Sequence, residues 1–222
     1  MEEKLFVYES PVKNCIYILG VDPAKGTGEN WSVIQVLKVE STNPIKMKQV
    51  AVFSDNFTDV YTFSDIINRL SYYYNNAYIM VESNGEGSAV VNRLWWELEN
   101  ENLINTGVKE KDLGIRATKS RKQKAILLMK KLIEDYSLEL VDKETIEQLT
   151  SFVEEKEKFF GKDKPDDRVS ALYWACYILE MDILDETYKF KANKEDDSWG
   201  ILSDVNTDTD DWSWLRSSNF ID

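Results

Sequence analysis

Two apolar segments of the chain each end in a single acidic residue. The segment CIYILGVD (15–22) ends at Asp22, and AYIMVE (77–82) ends at Glu82; a glycine-containing turn follows each. Ligands of open α/β sheets bind just beyond the ends of strands, and neighbouring strands would bring these two carboxylates close together. Like charges that close need a cation to stay ionised. The pattern therefore indicates a site for a hard divalent ion, Mg²⁺ or Mn²⁺.

A third acidic position strengthens this interpretation. Asp166 and Asp167 open the apolar segment DDRVSALYWACYILEMDIL (166–184), which has the composition of a buried helix. Acids on two strands and at one helix N-terminus suffice for a phosphodiester-cleaving site that binds two metal ions. The alternative is structural, because an acid at a strand end can simply begin a turn.

The composition excludes several classes of enzyme. Histidine is absent, which removes Ser-His-Asp hydrolases, HExxH proteases and His-ligated zinc sites. Cys15 and Cys176 are far apart and form no CxxC motif, so we expect two reduced thiols. The formal net charge of −13 argues against general affinity for nucleic acids, although it does not exclude a local basic patch. No apolar stretch reaches the ~18 residues of a membrane span, so we expect no membrane partner.

Hydrophobic periodicity predicts an α/β domain with a mixed sheet and helices on both faces. Residues 186–222 lack periodicity, and we expect an acidic, tryptophan-containing tail after a domain over 1–185. The predicted strands are 15–22, 31–39 and 47–54, which form an antiparallel meander, and 77–82. The predicted helices are 59–74, 88–99, 120–136, 143–155 and 166–184. Within the last helix, Tyr173 and Trp174 are expected to be core residues.

Four segments together resemble successive motifs of one known family. They are GVDPAKGTGENWSVIQV (20–36), YIMVESNGEG (78–87), TKSRKQKA (118–125) and KPDDRVSALYWA (164–175). In this order and spacing they look like the nuclease domain of the large terminases of tailed bacteriophages, which belong to the ribonuclease H-like superfamily. The resemblance implies a central mixed sheet of roughly five to eight strands, flanked by helices on both faces.

The resemblance also implies an activity and its site. The family's catalytic acids carry over onto Asp22, Glu82 and Asp166, with Asp167 as a further metal ligand. They imply a two-metal-ion endodeoxyribonuclease, using Mg²⁺ or Mn²⁺, that cuts concatemeric double-stranded phage DNA during genome packaging. Pro165 and Asn30 depart from residues that are common in the family, His and Asp respectively, and the departures concern auxiliary ligands.

Partners and location follow from the same resemblance. It implies double-stranded DNA, the terminase ATPase domain, the small terminase and the portal protein as partners, in the cytoplasm of an infected bacterium. The chain contains no GxxxxGK[ST] phosphate loop, so we expect the nuclease domain without the ATPase motor. Two alternatives stay open: another ribonuclease H-like nuclease such as a junction resolvase, and a non-catalytic DNA-packaging module.

Two groups of basic residues are candidates for contact with DNA. The first lies at the start of the helix predicted over 120–136, where free N–H groups and the helix dipole favour phosphate. The second flanks FFG just before the acidic pair, where we expect a hairpin or a loop. A solvated surface is the competing interpretation for both groups. The candidates are Lys119, Arg121, Lys122 and Lys124 in the first group, and Lys162 and Lys164 in the second.

Overall fold

The computed structural model describes residues 4–106, 113–155, 158–162, 165–181 and 183–184. A six-stranded mixed sheet forms its centre, with the path β1-β4-β3-β2-β5 and β6 paired to β4. The strands are β1 (Leu5–Val7), β2 (Ile16–Asp22), β3 (Ser32–Thr42), β4 (Ile45–Asp55), β5 (Tyr78–Val81) and β6 (Leu138–Glu139). The predicted tail over 186–222 lies outside the described residues.

The predicted meander is confirmed, since β2, β3 and β4 pair antiparallel in sequence order. Strand β5 then pairs parallel to β2 and places Val81 beside Val21. The sequence analysis did not predict β1, a three-residue strand that pairs with β4 at the sheet edge. So short an element carries too little periodicity to be recognised before its partner strand is known.

Helices cover both faces of the sheet, as predicted. Each predicted helix is present, although several end earlier than expected. The helices are α1 (Val60–Tyr73), α2 (Gly87–Asn92), α3 (Lys119–Glu134), α4 (Lys143–Ser151) and α5 (Asp167–Tyr177). A π-helical turn (Arg93–Glu97) follows α2, and a 3₁₀ turn (Ile178–Glu180) follows α5. None of the described helices is long and apolar enough to span a lipid bilayer.

The prediction of a helix over 143–155 is wrong for its last four residues. Helix α4 ends at Ser151, and the chain continues as β7 (Phe152–Glu155), which pairs antiparallel with β8 (Lys158–Gly161). The stacked rings of Phe152 and Phe159, with centroids 6.3 Å apart, hold this hairpin together. Cross-strand packing of aromatic residues outweighs the helical propensity of the glutamates.

Two hydrophobic layers sandwich the sheet. One packs α1 and α2 against side chains such as Leu19, Ile34 and Val81. The other packs α3 and α5 against Ile18, Leu37 and Met80 on the opposite face. Because successive residues of a strand point to opposite faces, β2 contributes to both layers and is the central strand of the fold.

Helix α5 approaches β2 unusually closely, and Gly20 makes this approach possible. A Cβ atom placed on Gly20 would lie 2.1 Å from the Ala171 carbonyl oxygen and 2.6 Å from the Ala175 Cβ. Since one of these neighbours is backbone, the helix itself would have to move to accommodate any larger residue.

We therefore expect Gly20→Ala to lower the free energy of unfolding by about 3 kcal/mol or more, as overpacking does at rigid sites. The control is Gly85→Ala, where φ is +54° but a Cβ would meet nothing within 4 Å; backbone strain alone costs about 1–2 kcal/mol there. Urea unfolding of both variants measures the difference. Equal losses would show that the contact between α5 and β2 is not sterically limiting.

Candidate metal centre and nucleic-acid interface

The structure brings Asp22 and Glu82 together at one edge of the sheet. Asp22 is the last residue of β2, and Glu82 immediately follows β5, the parallel neighbour of β2. The backbone N–H of Glu82 donates to the Val21 carbonyl at 3.0 Å, which continues the pairing up to the acids. Both side chains are half-buried.

The third acidic position reaches the same place through α5. Asp167 is the first residue of this helix and Asp166 is its N-cap. Within the described structure the Asp166 carboxylate does not cap the helix; the N–H of Arg168 instead donates to Oε1 of Gln148 at 2.9 Å. The start of α5 therefore carries two half-buried carboxylates, and the Asp166 side chain does not cap the helix.

Burial and the charges of neighbouring acids raise the pKa of two of the carboxylates, Asp22 and Asp167. Burial, and then the charges of Glu82, Asp167 and Asp166, raise the pKa of Asp22 well above its ordinary value. Burial and the neighbouring Asp166 raise the pKa of Asp167 to about 6. Among the described residues, no three such side chains are gathered tightly enough to hold an ion as they stand. The arrangement is a group of mutually repelling acids that a cation would relieve.

Glycine permits the tight turn that follows Glu82. A Cβ on Gly87, the first residue of α2, would lie 1.7 Å from the Glu82 carbonyl oxygen. Nearby, the Asn84 side chain accepts from the N–H of Ala117 at 2.7 Å and donates to the Ala117 carbonyl at 3.2 Å. This exchange ties the turn to the segment that leads into α3, so the acids and the basic helix share one edge of the molecule.

The first basic group divides into residues with different surroundings. Lys122 acts directly on the acidic site: its ammonium is 5.6 Å from the centre of the Tyr173 ring, and its charge lowers the pKa of Asp22. Lys119 is exposed in the first turn of α3. The Arg121 guanidinium donates to the Arg116 carbonyl at 3.3 Å. Lys124 instead forms an ion pair with Glu180, which occupies its charge.

The second basic group lies by the β7–β8 hairpin. Lys162 follows β8 and forms an ion pair with Glu155 at 3.8 Å, with both side chains largely exposed. Lys164 lies outside the described residues. A hairpin and a loop were the two alternatives expected for this segment, and the structure shows the hairpin.

A buried polar network anchors the start of α5, and the sequence analysis missed it. Arg168 is 4% exposed, and its guanidinium contacts Asp142 at 3.0 Å and Glu144 at 2.5 Å. Asp142 also caps α4 through the N–H of Thr145, at 2.7 Å. Asp142 and Arg168 are 26 positions apart, so no local pattern could have paired them. The one sign of this network in the sequence was a charged residue, Arg168, at the start of a largely apolar helix.

The network extends into the sheet. Gln35 donates to the Arg168 carbonyl at 3.1 Å, and Gln49 donates to Gln35 at 2.6 Å. Oε1 of Gln49 in turn accepts from the N–H of Asp142 at 2.7 Å. Because each of these side chains is buried and satisfied, the first turn of α5 is held at a defined position on β3 and β4.

Solved structures of similar fold come from thermophilic phages. The large terminase nuclease of phage G20c with bound magnesium is 21% identical, covers 79% of this chain and 88% of its own, and superposes with a TM-score of 0.64. The same nuclease with bound cobalt gives 20% identity over the same coverage and a TM-score of 0.63. The large terminase nuclease domain of Thermus phage P74-26 is 19% identical, with coverage of 78% and 85% and a TM-score of 0.59. No curated protein sequence matches the chain significantly.

These similarities establish the predicted ribonuclease H-like fold. A family model described as the terminase RNase H-like domain matches residues 19–177, which include the end of β2, all of β5 and α5, and all four acids. The chain belongs to the terminase RNase H-like domain family.

Proposed function

We propose that the chain is a metal-dependent endonuclease that cuts concatemeric double-stranded DNA during phage genome packaging, as the nuclease part of a large terminase. The observation that carries this proposal is the convergence of Asp22, Glu82 and the Asp166–Asp167 pair at one sheet edge. Membership of the terminase family supports it. So do related nucleases crystallised with magnesium, cobalt and zinc.

The donor set fits Mg²⁺ or Mn²⁺. All four side chains are carboxylates, which these hard ions prefer. Burial, and then repulsion by the other acids, raise the pKa of Asp22, and bound cations would relieve that repulsion. Asp22, Glu82 and Asp166 would hold two ions, with Asp167 completing the set. When bound, such ions activate a water for attack and neutralise the charge that develops on the phosphodiester.

The residues of the chain have separate tasks in this proposal. Asp22 ends the central strand, and the charges of the other three acids all raise its pKa, so it would help to hold both ions. Lys122 extends from α3 toward the same acids and would meet a phosphate that approaches them. Arg121, the residue before Lys122, and Lys119, about one helical turn earlier, would bind the neighbouring DNA backbone without reading bases.

The proposed partners follow from the family. They are double-stranded DNA, the terminase ATPase domain, the small terminase and the portal protein, in the cytoplasm of an infected bacterium. A chain of net charge −13 would bind DNA weakly by itself. Attachment to a packaging motor would raise the effective concentration of DNA at the site.

Nicking of a supercoiled plasmid in Mn²⁺, with and without EDTA, tests the proposed activity. We expect Asp22→Asn to abolish nicking and to leave the unfolding free energy unchanged or slightly higher, because one member of a repelling cluster loses its charge. The control is Asp135→Asn, an exposed acid at the end of α3. Wild-type activity in Asp22→Asn would contradict the assignment, and a wild-type chain that never nicks would favour a non-catalytic module.

Metal binding is tested separately by thermal unfolding. Because ions that bind only the folded state stabilise it, Mn²⁺ at one hundred times its Kd should raise the Tm by roughly 5–10 °C. We expect most of this rise to disappear in Glu82→Gln and to persist in Glu101→Gln, an exposed acid away from the site. An equal rise in both variants would mean that the ions bind elsewhere.

The DNA path is tested on a single helix. Replacing Lys119, Arg121 and Lys122 together with Ala should lower cleavage at least about tenfold and flatten the salt dependence of DNA binding by up to about three units, one per lost phosphate contact. The control removes three exposed charges outside both basic groups, at Lys130, Lys131 and Lys143. Equal effects of the two triple variants would indicate a general charge effect and would move the search for the DNA path to the β7–β8 hairpin.

A further inference from the structure

Trp174 is bound to one of the acids rather than being only a core residue. It lies in the middle of α5 and is fully buried. Its indole Nε1–H donates to Oε2 of Glu82 at 2.7 Å. The indole has a single donor and no acceptor, so this bond uses the whole hydrogen-bonding capacity of the side chain.

The indole is held firmly in this orientation. The rings of Tyr173 and Tyr177 meet it edge-on, with centroids 4.8 Å and 6.0 Å away. Helix α5 is itself fixed on β2 by the close approach at Gly20. Because a buried N–H without a partner is costly, the position of the indole constrains the position of the Glu82 carboxylate.

The hydrogen bond makes the two oxygens of Glu82 unequal. Oε2 is engaged by the indole, and Oε1 is the oxygen that the indole leaves to other ligands. A carboxylate held in this way can coordinate an ion through Oε1, whose lone pairs the indole does not use. Giving both to the same ion would require Oε2 to share its electron pairs or the carboxylate to turn away from the indole.

We propose that Trp174 is a positioning residue that restricts Glu82 to monodentate ligation and thereby makes the acidic site select small octahedral ions over Ca²⁺. This inference rests on the proposed function, in which Glu82 is a metal ligand. Mg²⁺ and similar small ions take near-octahedral coordination with single carboxylate oxygens, whereas Ca²⁺ takes six to eight ligands and readily accepts bidentate carboxylates. Partners that orient a metal ligand typically affect metal affinity 10- to 100-fold.

The first test compares two ions in Trp174→Phe, which keeps a buried ring and removes the N–H donor. We expect the ratio of Mn²⁺ to Ca²⁺ affinity, measured by calorimetry on the full chain, to fall about tenfold or more. A general weakening of the site would lower the affinity for both ions equally, so it would leave their ratio unchanged. The control is Phe63→Leu, which trims a fully buried ring in the layer on the opposite face of the sheet and should leave the ratio unchanged.

The second test needs no change to the core. In a spectrum of ¹⁵N-labelled indoles, the Trp174 N–H should lie far downfield because its acceptor is a carboxylate, and it should move upfield in Glu82→Ala. Saturation of the unaltered chain with Mg²⁺ should leave it downfield. Loss of the downfield position when Mg²⁺ binds would overturn the proposal, because the indole would then have released Glu82.

The outcomes separate this inference from the proposed function. If neither ion binds the unaltered chain, the metal site itself fails, and the selectivity proposal fails with it. If ions bind and Glu82→Ala abolishes binding, but Trp174→Phe keeps the wild-type ratio, the metal site stands and the role of Trp174 is refuted. A fall in the ratio that also appears in Phe63→Leu would refute it too.

Discussion

The contact between α5 and β2 at Gly20 is the constraint on which the rest of the structure depends. A helix at this distance leaves no room for a side chain at position 20 of the strand, because even one Cβ there would overlap the backbone of Ala171. Helix α5 carries Asp166 and Asp167 at its start and Trp174 in its middle, whereas β2 carries Asp22 at its end. The close approach therefore sets the position of Asp166, Asp167 and Trp174 relative to Asp22, whereas the pairing of β5 with β2 positions Glu82.

Carboxylates that repel one another destabilise the folded state, and other interactions must offset this destabilisation. The network around Arg168 does so at the first turn of α5, where the arginine contacts Asp142 and Glu144, and Gln35 binds its carbonyl. Removing one partner of such a buried pair typically costs about 3–5 kcal/mol, because the other charge stays buried without compensation. Helix α5 is thus held from one side by packing on β2 and from the other by a satisfied polar network.

Charge is distributed unevenly between the acidic site and its proposed substrate path. The chain as a whole carries a formal charge of −13, yet the start of α3 carries three basic residues, of which Lys122 acts on Asp22. Lys124, on the same helix, is paired with Glu180. Under the proposed function, this local positive edge would orient phosphates toward the acids, whereas the overall negative charge would keep residence on DNA short.

The sequence by itself determined the acids, the strands that end in them and the class of fold. Strand periodicity and glycine turns are local signals, so Asp22 and Glu82 could be identified as strand-end acids, and the order of four motifs indicated the family. Only the tertiary structure decided which other residues matter. The hydrogen bond from Trp174 to Glu82, the pair of Arg168 with Asp142 and the pair of Lys124 with Glu180 all join positions that no local pattern connects. Periodicity reports which face of an element is buried, but the partner that a buried polar group meets depends on how the elements pack.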